Sequence, residues 1–309
     1  MPSTPLIQLD AGGLRVELAP AVGGSISRFE GRGADGRCVD WLRPASAEGL
    51  AGRNPLAMAS FPLVPFCNRI RDGRARFGGR EIRFPPNHPA EDSPHPLHGI
   101  GWQQHWQVVD AQEREARLAL EVPATAAWPW HFTTTQHFQL SEDRLQVGMT
   151  VTNRDGATMP VGIGHHPYFP HTKGTRVTSA AARMWVADDE VMPTGLQETE
   201  AVRKLRAGVL LDELHLDNNF SGWEHRTLIE WTADERGPAR SLLMQAEAPL
   251  DFFVLYCPTG FDFFCAEPVS QCTDWLNLSD RYGAADLGGA ELAPGQTLEV
   301  RFSLTPRWG

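Results

Sequence analysis

Four short polar segments stand where apolar runs break off, and their side chains are of types that move protons or grip oxygen atoms. In Phe66-Cys-Asn-Arg-Ile-Arg-Asp-Gly73, Asn68 and Arg69 precede a glycine turn, so both can project from a rim. An arginine there offers a fixed fork of donors for hydroxyl or carboxylate oxygens; an ordinary surface arginine is the other reading. The segment Asn87–Gly99 carries His88, His95 and His98 in a proline-rich loop. Three imidazoles suggest a metal, but Pro94 and Pro96 deny His95 and His98 a helical face that would aim both at one ion. The expectation is no metal. In Gly162-Ile-Gly-His-His-Pro-Tyr-Phe169, Pro167 biases His166 toward extended backbone. A histidine at such a strand end either exchanges protons near neutral pH or is a hydrogen-bonded structural group, and Tyr168 and Phe169 supply pocket wall. In Phe263-Phe-Cys-Ala-Glu-Pro-Val269, Glu267 follows a buried apolar run. Partial burial would raise its proton affinity and suit it to general-base work, the alternative being a structural ion pair.

The elements that must position these groups read mainly as strands. Leu14–Leu18, Arg117–Val122 and Leu298–Leu304 alternate apolar and polar residues, the pattern of half-buried strands. Phe132–Phe138 and Leu145–Val151 look like two more, joined by the polar turn Ser141-Glu-Asp-Arg144. Leu250–Tyr256 and Phe261–Cys265 are more continuously apolar and read as strands buried on both faces, with Cys-Pro-Thr-Gly between them as a turn. Leu292-Ala-Pro-Gly-Gln-Thr reads as a turn feeding a final strand. Only Ser46–Leu50 and Ala201–Ala207 suggest helix, and both are short. Many strands with frequent turns predict an antiparallel all-β architecture of two packed sheets. No repeat or linker interrupts the 309 residues, which are expected to form one domain.

Composition narrows the function. The net charge of −10 argues against a nucleic-acid binder, which normally needs a basic face. No apolar stretch approaches the roughly 20 residues needed to cross a bilayer, and the N-terminus lacks the basic and apolar regions of a signal peptide. Five widely spaced cysteines without a CxxC pair suit buried, reduced thiols, hence a cytoplasmic location. Ten tryptophans exceed the needs of the core and raise the prospect of rings stacked on sugars.

Taken together and in order, five motifs resemble the aldose 1-epimerase (galactose mutarotase) family. They are Asn68-Arg69-Ile70 with the glycine turn and Phe77 that follow, Leu97-His98-Gly99, His166-Pro-Tyr-Phe169, Asp217-Asn-Asn-Phe220 and Cys265-Ala-Glu267-Pro. The likeness runs from about residue 60 to residue 277. It implies a large antiparallel β-sandwich (the galactose mutarotase-like supersandwich), with the site in a cleft on one sheet. It also implies interconversion of the anomers of a free aldose, with His166 as general acid and Glu267 as general base. Asn68, Arg69, His98 and Asp217 would hold the sugar hydroxyls and ring oxygen, beside Tyr168. Of the doubled histidines, the Pro-Tyr-Phe register favours His166, and alternation sends His165 to the other face.

The chemistry suits these residue types. Mutarotation removes a proton from the anomeric hydroxyl and delivers one to the ring oxygen; the ring opens, the C1–C2 bond turns, and the roles reverse on closure. One acid and one base suffice, with no metal or redox cofactor. Each positioned proton carrier is worth about 10²–10⁴ in rate. An imidazolium and a carboxylate are the expected pair. Three other readings stay open: a carbohydrate-binding protein without catalysis, an epimerase of a hexose 6-phosphate met by Arg71 and Arg74, and a glycoside hydrolase using Glu267 and Asp217.

Overall fold

Alternation along the strands becomes two broad antiparallel sheets laid face to face in a computed structural model that describes residues 6–33, 36–89 and 91–309. Among these residues one sheet has nine strands. It runs from the edge strand Gln107–Ala111 through Glu115–Val122, Phe132–Leu140, Leu145–Asn153, Thr297–Trp308, Arg240–Ala246, Arg226–Trp231 and Arg176–Ser179 to Val209–Leu210. The other has eight: Pro193–Gln197, Arg183–Ala187, Asp217–Ser221, Phe252–Tyr256, Phe263–Val269, Gly164–His165 and Pro62–Leu63 in order, with Tyr168–Pro170 also paired to Phe263–Val269.

The pattern of each strand follows from what covers it. Phe132–Leu140 and Leu145–Asn153 bury every second residue, and their hairpin closes at the predicted turn, where Ser141 N–H donates to the Arg144 carbonyl at 2.9 Å. Phe252–Tyr256 and Phe263–Val269 are buried almost throughout, as their continuous apolar sequence predicts. Two of the helices among the described residues fall on the predicted segments. Ala47–Ala51 is capped by Ser46 and Glu200–Ala207 by Thr199. Beyond the two packed sheets expected, Ile7–Ala11, Leu14–Ala19, Ser25–Arg32 and Cys38–Asp40 form a separate four-stranded meander.

Nine tryptophans are buried in the core and Trp308 is 39% exposed against Trp41. The expectation of stacking tryptophans is therefore corrected: a sandwich this wide needs large rings to fill it, and these fill it. Four cysteines are buried and unpaired as expected, while Cys38 is exposed on an edge strand. On the outer strand Gln107–Ala111, Val109 is an extra residue; Val108 pairs with Leu118 and Asp110 with the next residue, Arg117. That is a β-bulge. No helix among the described residues is long and apolar enough to cross a membrane.

Histidine 165 ties the two sheets together. Its Nε2–H donates to Gln136 Oε1 on the facing sheet at 3.1 Å, and Gln136 Nε2 donates in turn to the Gly24 carbonyl at 3.0 Å. Nδ1 then accepts from the Ser60 hydroxyl at 2.5 Å. One chain of bonds fixes the neutral tautomer. Burial alone draws this imidazole down to about 3.

Candidate functional site

Alternation that buries His165 turns His166 the other way, into a cleft of about 330 Å³ on the eight-stranded sheet. The backbone holds it there: His166 N–H donates to the Phe61 carbonyl and Tyr168 N–H to the Ala59 carbonyl, both at 2.9 Å. The ring packs on Phe61 at 4.6 Å and Tyr168 at 4.8 Å between centroids, with His98 edge-on at 5.1 Å. Glu267 comes from the strand Phe263–Val269, and its Oε1 lies 3.3 Å from His166 Nε2. Side chains a hundred positions apart therefore meet.

Both members of this pair are nearly dry, at 7% and 2% exposure. Burial draws His166 down to about 3, helped by the nearby Arg43 and Arg69 charges. Burial also pushes Glu267 well above the usual carboxylate range; the Asp217 charge adds to this and Arg69 opposes it. Both shifts favour uncharged groups. Burial thus works against the expected imidazolium–carboxylate pair, since it penalises both charges. His166 Nδ1 and Glu267 Oε2 are buried without hydrogen-bond partners.

Asn68, Arg69 and His98 reach the same cleft from neighbouring loops. Asn68 and His98 both take the left-handed backbone, at φ 55 and 58, a strain costing about 1–3 kcal/mol each. Reciprocal bonds hold them: His98 N–H donates to the Asn68 carbonyl at 2.8 Å, and Asn68 N–H donates to His98 Nδ1 at 3.3 Å. Since Nδ1 accepts, Nε2 carries the hydrogen, and His98 is a neutral donor; burial, then the fields of His166 and Arg69, hold it well below the usual imidazole value. Gly99 follows at φ 72, where a Cβ would lie 2.3 Å from the Val64 carbonyl oxygen, so only glycine permits this approach.

Arg69 Nη2 stands 3.7 Å from Asp217 Oδ2, and Asp217 begins the strand Asp217–Ser221. Burial raises Asp217 and Arg69 pulls it back. The backbone around Arg69 is clamped by Asp274, itself at φ 60 and buried. Asp274 N–H donates to the Arg69 carbonyl at 3.0 Å and its Oδ1 accepts from Arg71 N–H at 3.0 Å. Asn277 Nδ2 donates to the same oxygen at 2.7 Å.

All seven sequence-predicted residues, Asn68, Arg69, His98, His166, Tyr168, Asp217 and Glu267, line this one cleft. Sequence reasoning missed Arg43, Tyr256 and Phe263. Arg43 Nη2 donates to the Leu56 and Met58 carbonyls at 2.8 Å, and its guanidinium lies 3.9 Å from the Tyr168 ring centre and 4.6 Å from that of Phe263. Phe263 precedes Glu267 by four residues on one strand, so alternation could have found it. Of the loop histidines, His88 and His98 line the cleft, whereas His95 Nδ1 accepts from Asp72 N–H at 3.0 Å and its Nε2 faces Glu190 at 3.6 Å. No group of three or more His, Cys, Asp or Glu among the described residues is placed to hold a metal ion. Arg71 turns away from the cleft to Asp188 and Asp274.

The aldose 1-epimerase family model matches residues 5–305. The uncharacterized protein YphB of Escherichia coli K12 is 31% identical over 273 residues, spanning 86% of this chain and 89% of its own. A crystal structure of a provisionally assigned aldose 1-epimerase from Escherichia coli K12 superposes with a TM-score of 0.83 at 28% identity, over 99% of both chains. A galactose mutarotase-like protein from Clostridium acetobutylicum shares the fold, with a TM-score of 0.81 at 18% identity over 98% of this chain and 95% of that one. With the matched span covering nearly the whole sequence, this chain belongs to the aldose 1-epimerase family.

Proposed function

We propose that this chain interconverts the α and β anomers of a free, uncharged aldose, with His166 as general acid and Glu267 as general base. The observation that carries this reading is the 3.3 Å approach of His166 Nε2 to Glu267 Oε1 inside a cleft sized for a small ligand. Before a sugar binds, burial favours the proton on the carboxyl. A sugar whose anomeric hydroxyl donates to Glu267, and whose ring oxygen accepts from His166, replaces the lost water and draws that proton across to the imidazole. Glu267 then takes the hydroxyl proton as His166 protonates the ring oxygen and the C1–O5 bond breaks. The C1–C2 bond turns in the open aldehyde, and closure on the other face returns both protons. His98 Nε2–H and the Arg69 guanidinium donate to sugar oxygens, Asn68 adds a polar amide, Asp217 steadies Arg69, and Tyr168 forms a wall.

Charge favours a neutral sugar. Arg69 faces Asp217, Arg43 is held by carbonyls and ring faces, and Glu91 and Asp217 add two carboxylates to the wall. A phosphate dianion would meet no excess of positive charge. One domain and a cytoplasmic location belong to the same proposal; they are supported by one large apolar cluster running from Leu9 to Leu304 and by five unpaired cysteines.

Polarimetry on freshly dissolved α-anomers, with and without a 6-phosphate, tests the proposal. Faster exchange of the neutral sugars is expected. Sugar binding without acceleration would leave a carbohydrate-binding protein, acceleration confined to the phosphate would reverse the charge argument, and release of reducing sugar from a glycoside would mean a hydrolase.

A further inference from the structure

After the strand Cys38–Asp40, Trp41 and Leu42 are fully buried, and the chain they anchor brings Arg43 to the wall of the cleft. Its backbone is tied to the His166 segment, Arg43 N–H donating to the Tyr168 carbonyl at 2.8 Å. Its Nη2 donates to the carbonyls of Leu56 and Met58, within and just after the short turn Pro55–Ala57. That grip lays the guanidinium 3.9 Å from the Tyr168 ring centre and 4.6 Å from that of Phe263. Tyr168 stacks on His166 at 4.8 Å with 25° between the planes, and Phe263 shares its strand and its face with Glu267. One cation therefore bears on a ring beside each member of the proton-transfer pair. Packing against two rings needs no charge, and burial acts against this one, so its presence calls for a use.

We propose that Arg43 is a positioning residue for proton transfer: it holds the His166 ring through Tyr168 and supplies a fixed positive charge that hastens the passage of a proton from His166 to the sugar ring oxygen. The proposal rests on the activity inferred above. A positive charge near an imidazole works against the imidazolium, so a proton received there is readily passed on. Burial first, and then the Arg43 charge among others, draws His166 down to about 3. The ring contacts put guanidinium and imidazole within about 9 Å of each other, close enough for the charge to be felt in a dry interior. The other groups around His166 do not duplicate it. Glu267 lies 3.3 Å from Nε2, His98 stands edge-on at 5.1 Å, and His165 precedes it in the chain. Burial keeps both of those histidines, and the Tyr168 phenol, uncharged. Arg69 is charged, but Asp217 Oδ2 stands 3.7 Å away and offsets its field. Arg43 is gripped by carbonyls and ring faces, which leave its charge whole, and the Asp262 charge acts on it least of its neighbours.

Two variants separate the charge from the packing. Arg43→Gln keeps an amide donor for the carbonyls and removes the charge; Arg43→Lys keeps the charge and loses the flat stack. In each, and in the wild-type protein, the His166 ring signals are followed by NMR from pH 7 to pH 4, identified by their absence from His166→Asn. Exchange of α-glucose is followed by polarimetry. The expected result in Arg43→Gln is a titration midpoint about one pH unit higher, with kcat about tenfold lower and KM changed less. Arg43→Lys should keep the wild-type midpoint and recover part of kcat. Three results would overturn the proposal: an unmoved midpoint in Arg43→Gln, a raised midpoint with kcat unchanged, or the same rise in Arg43→Lys. The first of these with a lower melting temperature would make Arg43 a fastener of its loop and no more. Should the wild-type protein exchange no sugar, the activity proposal falls, and the titration still decides whether Arg43 acts on His166, equal midpoints refuting it.

Discussion

Replacing Glu267 by Gln keeps the size of the side chain and removes its capacity to take a proton; His166→Asn does the same for the imidazole. Each is expected to lower turnover by about 10²–10⁴ with the melting temperature little changed, since neither charged form stabilises the fold. Full activity in either variant, measured by polarimetry, would remove that residue from its role. The pH profile carries a second expectation. His166 is drawn down to about 3, so its ring gains no proton at the ordinary imidazole value of 6.5, while burial raises the proton affinity of Glu267. Protonation of His166 therefore falls below that value. kcat/KM should show no limb from His166 at pH 6.5, and a limb centred there that His166→Asn abolishes would contradict the lowered value.

Between strands, His165 offers a cleaner stability test because it takes no part in the proposed chemistry. His165→Leu leaves Ser60 Oγ and Gln136 Oε1 buried without partners, at about 1–3 kcal/mol for each, read from thermal or urea unfolding. The sign of its pH dependence follows from its low value. Above 6.5 neither the folded nor the unfolded chain protonates this ring; between 6.5 and about 3 only the unfolded chain does, so stability is lost as the pH falls through that window. The slope is at most about 1.4 kcal/mol per pH unit. His165→Gln lacks that slope, so the stability gap between wild type and variant should narrow from pH 7 to pH 5; a constant gap would mean the ring is not held neutral. Asp274 acts between loops. Asp274→Ala removes the acceptor for Arg71 N–H and disfavours φ 60, which loosens Arg69, and is expected to raise KM about tenfold with a smaller loss in kcat. Asp274→Asn keeps an accepting oxygen and tolerates that backbone, and should restore near-normal KM. An equally damaging Asn would assign the effect to charge.

At the scale of the molecule, what could be read in advance depended on how far each feature is local. Phe132–Leu140, Leu145–Asn153 and Phe252–Tyr256 were legible because burial writes its period directly into the residues covered. Asp217–Ser221 and Arg176–Ser179 were not, being too short and polar to show a period. His166 and Glu267 stood out as polar groups ending apolar runs, and the cleft gathers them. Arg43 had no such mark, since carbonyls of Leu56 and Met58 and the rings of Tyr168 and Phe263 place it, all distant in sequence. The tryptophans misled because a ring suited to stacking is equally suited to filling space. One feature of the outermost strand concerns behaviour in company. With Val109 inserted between Val108 and Asp110, a neighbouring chain laid along that border loses step within two residues, although Val109 is 62% exposed and apolar. Deleting Val109 should regularise the border and produce concentration-dependent light scattering; an unchanged monodisperse profile would show that something else guards it. As built, a chain pairing along this border is thrown out of register before a ladder can lengthen.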